Sequence, residues 1–291
     1  MKWKQTESEQ IQPLLRIEHA GAERGSTFWL RDVNLELEPG TFMGVIGRNG
    51  AGKTTLFHML CGLSRISQGE VWLEGISMKE EPGRCRQKMG LIFDDDYFRL
   101  DLSVKYAARV YGKYYENYSQ NDFLCCCRKF EVDIRQNVRK LSKGNYMKFQ
   151  LAFALAHHPR LILMDEPESG LDPVFRREWM NMLYDILDDE CSILFATHLT
   201  EELEQYADAV TLLSQGRQIF SLTMPQLEKQ YRIVRGSKVQ MDYLQKRLVG
   251  RRKMEHYEEG LFQEDGRELW VEVSESRPTL AQLMEYLDGK F

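Results

Sequence analysis

The segment with the clearest chemistry in this sequence is a glycine-rich stretch at residues 47–55. It reads Gly-Arg-Asn-Gly-Ala-Gly-Lys-Thr-Thr, which is the spacing of a phosphate-binding loop. Glycines let the backbone turn tightly with its N–H groups directed inward, and a helix that starts after the loop adds partial positive charge. We therefore predict that this segment binds a nucleoside triphosphate. The predicted binding residues are Gly47, Arg48, Asn49, Gly50, Ala51, Gly52, Lys53, Thr54 and Thr55.

Two side chains of the loop and two carboxylates further along the chain predict hydrolysis. Lys53 is expected to reach the β- and γ-phosphates, and the hydroxyl of Thr54 to ligate Mg²⁺. An apolar run at residues 161–164 ends in Asp165 and Glu166. Asp165 would hold Mg²⁺ through water, and Glu166 would polarise a water molecule for attack on the γ-phosphate. A strand followed by Asp-Glu is only moderately specific alone, but the phosphate loop makes this interpretation the favoured one.

Ser142 and His198 are the remaining side chains that the pattern singles out. Ser142 opens a predicted helix and suits its N-cap, so capping the helix is the alternative to any role with phosphate. His198 ends another predicted strand. A single histidine in such a place is usually structural, but its position after this αβ unit suits contact with a γ-phosphate. The predicted catalytic residues are Lys53, Glu166 and His198.

The elements that must position these residues alternate between strand and helix. Apolar runs at 42–46, 161–164, 192–195 and 209–213 read as strands, and strands that alternate with helices predict a largely parallel sheet. The fold class is therefore α/β. Other predicted strands lie at 14–18, 33–37, 70–75, 89–93, 231–234 and 268–273, and a helix is predicted over 278–287 with a proline at its start.

The predicted organisation has three parts. Residues 1–12 are polar and are expected to form a flexible tail, and residues 13–224 to form the nucleotide-binding domain. A helical region over about residues 96–157 lies within that domain and is rich in tyrosine. Residues 225–291 are expected to form a small α+β accessory domain.

Composition limits the possible partners. The chain has 291 residues and a formal net charge of -5, so it lacks an overall electrostatic signature for nucleic acid. A basic cluster at residues 246–253 is either a functional patch or, as we favour, a solvated helix end. The sequence contains no run of about 20 apolar residues and no signal-peptide core at its start, so we expect a cytosolic chain that reaches a membrane through a partner. The six cysteines have no paired metal-ligand spacing, and the run at 125–127 is expected to be part of a helix.

The order of the motifs resembles that of the ATP-binding subunits of ATP-binding cassette (ABC) transporters. The motifs are residues 47–55, 141–145, 161–172 and 197–198, and the resemblance covers about residues 14–222. The helical stretch that leads into residues 140–144, and the C-terminal extension, resemble the branch that serves separately encoded export permeases, including peptide and antibiotic exporters.

The resemblance implies a P-loop NTPase core with an antiparallel β subdomain, a helical signature subdomain and a small C-terminal α+β domain. It also implies a head-to-tail dimer around two ATP molecules with Mg²⁺, in which Ser142 and Gly144 of one subunit complete the site of the other. The helix start at these two residues would have free N–H groups for that purpose. A homodimer is favoured over a mixed dimer because every hydrolytic residue is present in this chain.

The implied function is an ATPase that powers a separate permease on the inner face of the cell membrane. The tyrosine-rich helices, about residues 94–120, would form the groove for that partner, or would only be packed in the core. The cargo is proposed from the family alone as a peptide or an antimicrobial compound. An alternative is a soluble ABC-type ATPase that acts on ribosomes or nucleic acid, and another is a regulator that binds ATP without turnover.

The sequence departs from the family pattern at several positions. Asp94 stands where the family usually has Gln, and we expect it to ligate Mg²⁺ and to tune metal dependence. Lys143 and Asn145 replace a Gly and a Gln, and Glu168 replaces a Thr or Ser, which leaves the local hydrogen bond of that side chain open. Phe28, or else Trp29, is the candidate for stacking on adenine.

Overall fold

The structure is a computed structural model in which secondary-structure elements cover most of the chain. For residues 24, 28 and 29 the structure describes the backbone but not the side chain. The described residues are 12–24, 28–93, 98, 101–188, 190–266 and 271–288.

Strands and helices alternate through most of the described chain. The strands are β1 (Leu15–Arg24), β2 (Phe28–Leu37), β3 (Phe42–Ile46), β4 (Ile66–Leu73), β5 (Ile76–Ser77), β6 (Met89–Phe93), β7 (Leu161–Asp165), β8 (Ser192–Thr197), β9 (Ala209–Ser214), β10 (Arg217–Thr223), β11 (Tyr231–Gly236), β12 (Leu248–Lys253), β13 (Glu258–Gln263) and β14 (Ser274–Ser276). The helices are α1 (Lys53–Cys61), α2 (Pro82–Gln87), α3 (Val104–Gly112), α4 (Gln120–Lys129), α5 (Lys143–Leu155), α6 (Pro173–Tyr184), α7 (Leu203–Tyr206), α8 (Met224–Gln230), α9 (Lys238–Leu244) and α10 (Leu280–Leu287).

The main sheet of the described chain is mixed, in the order β5-β4-β1-β2-β10-β9-β3-β8-β7-β6. Its β9-β3-β8-β7-β6 part is parallel, with Phe42 beside Ile193 and Asp165 beside Ala196. Strands β1, β2, β4 and β5 pair antiparallel, and β10 runs antiparallel to β9. This arrangement confirms the α/β fold class.

The parallel strands explain why the candidate site residues meet. Strands β3, β7, β8 and β9 are buried along their whole length, as expected of strands covered on both faces, and they read as continuous apolar runs in the sequence. In a parallel sheet the carboxyl ends of all strands lie at one edge. The segments that follow β3, β7 and β8 therefore come together there.

The helical region packs around the ring of Phe98. That ring makes edge contacts with Tyr111 and Phe149 at 4.7 Å and with Phe153 at 5.1 Å between centroids. Helix α5 is also tied to β6, because the buried amide of Gln150 accepts from the backbone N–H of Phe93 at 3.2 Å and donates to its carbonyl at 3.0 Å. Helix α5 and strand β6 are thus joined by two hydrogen bonds.

The tyrosines of this region divide into two groups. Tyr111, Tyr115 and Tyr118 pack against the core, whereas Tyr106 is 53% exposed and Tyr114 is 75% exposed. The first group is core packing, as one interpretation expected, and a partner groove formed by the exposed tyrosines stays a prediction.

The second sheet of the described chain is antiparallel, in the order β12-β13-β11-β14, with α9 and α10 packed beside it. Phe220 before this region and Tyr231 and Leu280 within it belong to one continuous hydrophobic core. The boundaries predicted at residues 13–224 and 225–291 stay predictions.

Three expectations for the last third of the chain are wrong in detail. Only Lys246 and Arg247 of the basic cluster lie at a helix end, in the short 3-10 helix Gln245–Arg247 that follows α9, whereas Arg251, Arg252 and Lys253 lie on strand β12. Arg251 pairs within the chain, with Asp242 at 2.6 Å and with Glu258. Residues 271–273 of the strand predicted at 268–273 are not in a strand, and β14 begins at Ser274. These short strands are selected by their pairing with β11 and β13, which local sequence does not encode.

The last helix begins at Leu280, two residues later than the proline suggested. Thr279 is its N-cap and forms a capping box with Gln282, so Pro278 precedes the cap. A hydroxyl satisfies a free N–H of the first turn, whereas proline only fixes the backbone, and the hydroxyl therefore sets the start.

No helix formed by the described residues is both long and apolar enough to cross a membrane.

Candidate functional site

The phosphate loop follows β3 directly and depends on two glycines. Gly47 has φ 155° and lies so close to the neighbouring strand that an added Cβ would be 2.4 Å from the carbonyl oxygen of Leu213. Gly52 has φ 116° and is the N-cap of α1, where it provides no side-chain hydrogen bond to the first turn. The N–H groups of that turn are therefore left for a ligand in the loop.

Lys53 is buried at the first position of α1. Its ammonium group donates to the carbonyl of Gly47 at 2.7 Å and to that of Arg48 at 3.4 Å, and it lies 3.0 Å from Oε1 of Glu166. Because an ammonium has three N–H donors, these contacts occupy all of them. The lysine is held at the loop and paired with the predicted base.

Glu166 connects the lysine with the histidine. Its Oε2 lies 3.0 Å from Nδ1 of His198, and its backbone N–H donates to the carbonyl of Ala196 at 2.9 Å. Its φ of 48° is in the left-handed region, which is unfavourable for a residue with a side chain and persists only where the surrounding structure holds it. The turn after β7 thus directs the carboxylate between Lys53 and His198.

Asp165 ends β7 beside the loop and is only 8% exposed. Burial raises the pKa of this carboxyl, and a hydrogen bond from the hydroxyl of Thr54 opposes the rise. Its Oδ1 is buried without a hydrogen-bond partner in the described part of the chain. A carboxylate oxygen with no donor beside a threonine hydroxyl is the oxygen donor set that Mg²⁺ prefers, so the residues present fit this ion.

These elements border a cavity of about 420 Å³. Its lining residues are Asn49, Gly50, Gly52, Lys53, Thr54, Thr55 and Glu166.

Ser142 and Gly144 do not line this cavity. Ser142 is the N-cap of α5 and accepts from the N–H of Asn145 at 3.3 Å, so one of the helix-start N–H groups that the sequence left free is used within the chain. An added Cβ on Gly144 would lie 2.7 Å from the ring of Phe175, so this glycine has a packing reason of its own. A single chain therefore brings the phosphate loop, Asp165 and the predicted catalytic side chains together and leaves the α5 start outside.

Two predicted site residues, Asp94 and Phe28, concern parts of the chain outside the description. Asp94 lies outside the described residues, and so does the side chain of Phe28, which begins β2. Both assignments stay predictions.

Two contacts near the site were missed from the sequence. Glu168 is buried against Thr197 and is hydrogen-bonded with its hydroxyl. The carboxyl group thus makes a local hydrogen bond at the position where the family has a Thr or Ser. Asp288, at the end of α10, lies 3.0 Å from Nε of Arg48 in the phosphate loop and accepts from Ser214 at 2.5 Å. The unusual residue type at position 168 was a usable signal, whereas nothing in the sequence indicates a partner for Arg48 that is 240 residues away along the chain.

A sheet edge with a phosphate loop and a base directed toward it can bind and cleave a triphosphate, so fold and site define a nucleotide hydrolase of the P-loop class. A family model described as ABC transporter matches residues 30–169. The chain is 31% identical over 197 residues to the ABC transporter ATP-binding protein NatA of Bacillus subtilis, a match that covers 66% of this chain and 80% of that protein. The chain belongs to the ABC transporter family, as an ATP-binding subunit with ATPase activity.

Two further similarities agree with this assignment. The chain is 33% identical over 193 residues to the Nod factor export ATP-binding protein I of Cupriavidus metallidurans, which covers 65% of this chain and 64% of that protein. Among solved structures, CbiO1 from Clostridium perfringens, part of the ABC transporter complex CbiONQ, matches with a TM-score of 0.65 at 21% identity over 80% of this chain and 95% of that one. The structural match supports the fold alone.

Proposed function

We propose that two copies of this chain associate head to tail around two ATP molecules and drive a separate permease at the cytoplasmic face of the cell membrane. The observation that carries this proposal is the position of the α5 start. Ser142 and Gly144 lie outside the cavity that contains Lys53 and Glu166, so a phosphate bound there would meet an α5 start only from a second subunit.

The loop and Lys53 would bind the triphosphate. Lys53 pairs with Glu166 at 3.0 Å, and phosphate oxygens that carry more negative charge would compete for its ammonium group. Binding would then release Oε1 of Glu166 as a proton acceptor, while His198 keeps its contact with Oε2. The lysine thus links the arrival of ATP to the availability of the base.

Hydrolysis would follow from the released carboxylate. A water oxygen positioned by Glu166 attacks the γ-phosphorus, a proton of that water passes to the carboxylate, and the bond to the β-phosphate oxygen breaks to give ADP and phosphate. A positioned base of this kind contributes about 10²–10⁴-fold to the rate. His198 would hold the orientation of Glu166 and contact the γ-phosphate.

Asp165 and Thr54 would hold Mg²⁺, and Asp94 is proposed as a further ligand. When bound, the ion supplies charge neutralisation at the phosphate oxygens. If Asp94→Asn leaves both Mg²⁺ dependence and partner-stimulated turnover unchanged, the role of Asp94 is abandoned.

An apolar groove of about 360 Å³ between the end of α1 and helices α3 and α5 is the proposed contact with the permease. Leu63 and Tyr114 at its rim are 61% and 75% exposed, and Phe93 and Phe153 form its walls. Tyr114→Asp should prevent recovery of the permease with this subunit. Tyr243→Asp is the matched control, because Tyr243 is 77% exposed on α9 and away from the groove.

Export is the favoured direction of transport because relatives are named for Nod factor export and for multidrug transport. A peptide or an antimicrobial compound is the proposed cargo, as an inference from the family branch alone.

The test is affinity purification of the Glu166→Gln variant from detergent-solubilised membranes with ATP and Mg²⁺, followed by mass spectrometry. That variant should retain ATP and keep the dimer closed. Stoichiometric recovery of a multi-span membrane protein supports the proposal, and recovery of a second ABC subunit replaces the homodimer with a mixed dimer. Ribosomal proteins or nucleic acid without a membrane partner would refute it.

A further inference from the structure

The side chain of Glu168 lies at the edge of the proposed site without an assigned role. It sits in the turn between β7 and α6 and is only 5% exposed. Its Oε1 is hydrogen-bonded with the hydroxyl of Thr197, whereas its Oε2 is buried and has no hydrogen-bond partner among the described residues. Burial of a carboxylate with an unpaired oxygen and no counter-ion is costly, so the ionisation state of this group needs an explanation.

The hydrogen bonds of Thr197 give that explanation. Its Oγ1 is in bonding distance of three groups: the N–H of Leu199 at 2.8 Å, the carbonyl of Leu199 at 3.2 Å, and Glu168. The N–H can only donate and the carbonyl can only accept. A hydroxyl has one hydrogen and two acceptor positions, so an ionised Glu168 and the carbonyl would compete for that one hydrogen.

A proton on Glu168 satisfies all three contacts at once. The carboxyl O–H of Glu168 then donates to Thr197, the hydroxyl of Thr197 donates to the carbonyl of Leu199, and the N–H of Leu199 donates to the hydroxyl. The network fixes the residues on both sides of His198, whose ring contacts Glu166.

The charges around Glu168 favour the same protonation state. Within the described chain Glu168 forms no ion pair, and the charged groups that act on it are the carboxylates of Glu166 and Glu202. The guanidinium of Arg176 is directed to Glu202 at 3.4 Å, and His198 and Lys53 are both paired with Glu166. Burial, together with the two carboxylates, raises the pKa of Glu168 to about 7, although hydrogen bonds from Thr197 and from the backbone N–H of Glu168 itself oppose the rise.

We propose that Glu168 is a positioning residue that acts as a neutral carboxylic acid and, through Thr197 and Leu199, holds His198 against Glu166. When the proton is lost to solvent, Glu168 competes with the carbonyl of Leu199, the turn loosens, and turnover falls. The proposal rests on the proposed hydrolytic roles of Glu166 and His198.

The first experiment is the pH profile of ATP turnover by the full chain with Mg²⁺. As pH rises from about 6 to about 8, the turnover of the wild type should fall by about fivefold to tenfold if only the protonated form is active. Glu168→Gln is neutral at every pH and its amide N–H can replace the carboxyl donor, so it should retain turnover within about threefold at the lower pH and lose the decline. Glu168→Ala and Thr197→Val should both lower turnover, and the turnover of each variant should not fall further as pH rises.

A second measurement does not depend on hydrolysis. The infrared spectrum of the wild type minus that of Glu168→Gln should contain the C=O band of a protonated carboxylic acid at low pH, and this band should disappear with a midpoint near the pKa of about 7.

The outcomes separate the two proposals. Absence of the protonated band at all pH values, a Glu168→Gln profile that still declines, or a Glu168→Gln variant as slow as Glu168→Ala would each overturn the role of Glu168. A wild type that shows the band but hydrolyses no ATP, alone or with its membrane partner, would instead refute the proposed function, and the positioning role would fail with it.

Discussion

The starts of helices α1 and α5 are both glycine-containing turns that the family resemblance assigns to ATP, yet they are built differently. At the start of α1, Gly52 provides no side-chain cap, and Lys53 is buried beside the predicted base. At the start of α5, Ser142 caps the helix, and the ring of Phe175 covers Gly144. One helix start leaves its N–H groups for a ligand, whereas the other is partly satisfied within the chain.

The difference agrees with the proposed division of the site between two subunits. The α1 side is preorganised by the parallel sheet, because three successive strand ends meet there. The α5 start depends on the helical region and has its own capping bond, so it is stable without a ligand. A surface of this kind is suited to a partner that arrives and leaves, and the α1 side to a substrate that must be held.

The largest expected effect is on the α1 side. Glu166→Gln removes the proton acceptor between Lys53 and His198, so ATP turnover should fall by about 10²–10⁴-fold. ATP binding should persist, since the phosphate loop is unchanged. Equilibrium binding of a fluorescent nucleotide and steady-state hydrolysis measure the two effects. Lys53→Met is the control that should lose binding, and a Glu166→Gln variant with normal turnover would contradict the site.

The next effect is the pH dependence of stability from Glu168. Its pKa is raised from 4.5 to about 7 in the folded chain, so the folded state binds the proton more tightly than the unfolded state does. The stabilisation is complete below about pH 4.5 and is lost as pH rises through about 7, a change of about 3 kcal/mol at most. The measurement is the free energy of unfolding in urea for the wild type minus that for Glu168→Gln, at each pH. Equal pH dependence in both proteins would exclude the raised pKa.

Gly144 tests whether the α5 start is set by packing. Gly144→Ala places a methyl group against the ring of Phe175 and should lower the free energy of unfolding by about 1–3 kcal/mol. Adding Phe175→Leu should restore stability by making room. If hydrolysis also returns, Gly144 serves packing alone; if hydrolysis stays low, the glycine is needed by the partner's phosphate. Gly144→Ala with wild-type stability would contradict the packing argument.

Ser142 separates capping from a role in the partner's site. Ser142→Ala removes the bond to Asn145 and should cost about 1 kcal/mol of stability. Ser119 caps α4 in the same way, through the N–H of Asp122 at 3.2 Å, so Ser119→Ala is the matched control. Both variants should be destabilised equally in thermal unfolding, but only Ser142→Ala should lose about tenfold in turnover. Equal turnover in the two variants would leave Ser142 as a cap alone.

The smallest expected effect concerns the tie between Asp288 and Arg48. This ion pair is on the surface, with Arg48 65% exposed, so it is worth no more than about 1 kcal/mol. Asp288→Asn should free Arg48 for phosphate and raise ATP affinity by about twofold to fivefold at low salt. Glu285→Gln on the same helix, which releases Arg252, is the control. A gain that persists at high salt would not come from this ion pair.

The parallel strands and the α1 side of the site were predictable because their signals are local. The runs at β3 and β7 are apolar along their length, and the loop glycines and the Asp165-Glu166 pair follow them directly. The ends of strands and helices were less predictable where pairing with an adjacent strand decides them. Strand β12 carries Arg251, Arg252 and Lys253 of the basic cluster because β13 pairs with it and provides carboxylates such as Glu258. Strand β14 begins only after the segment at which a strand was expected, residues 268–273.

The sequence by itself determined the class of the protein, its central strands and the loop residues that line the cavity, because spacing along a short segment fixes a loop and the helix after it. Only the tertiary structure decided that Glu168 is buried against Thr197, that Arg48 is paired with Asp288, and that the α5 start lies off the cavity. Each of these depends on segments far apart in the chain. Their separation in space is set by packing of the whole core, and no local pattern records it.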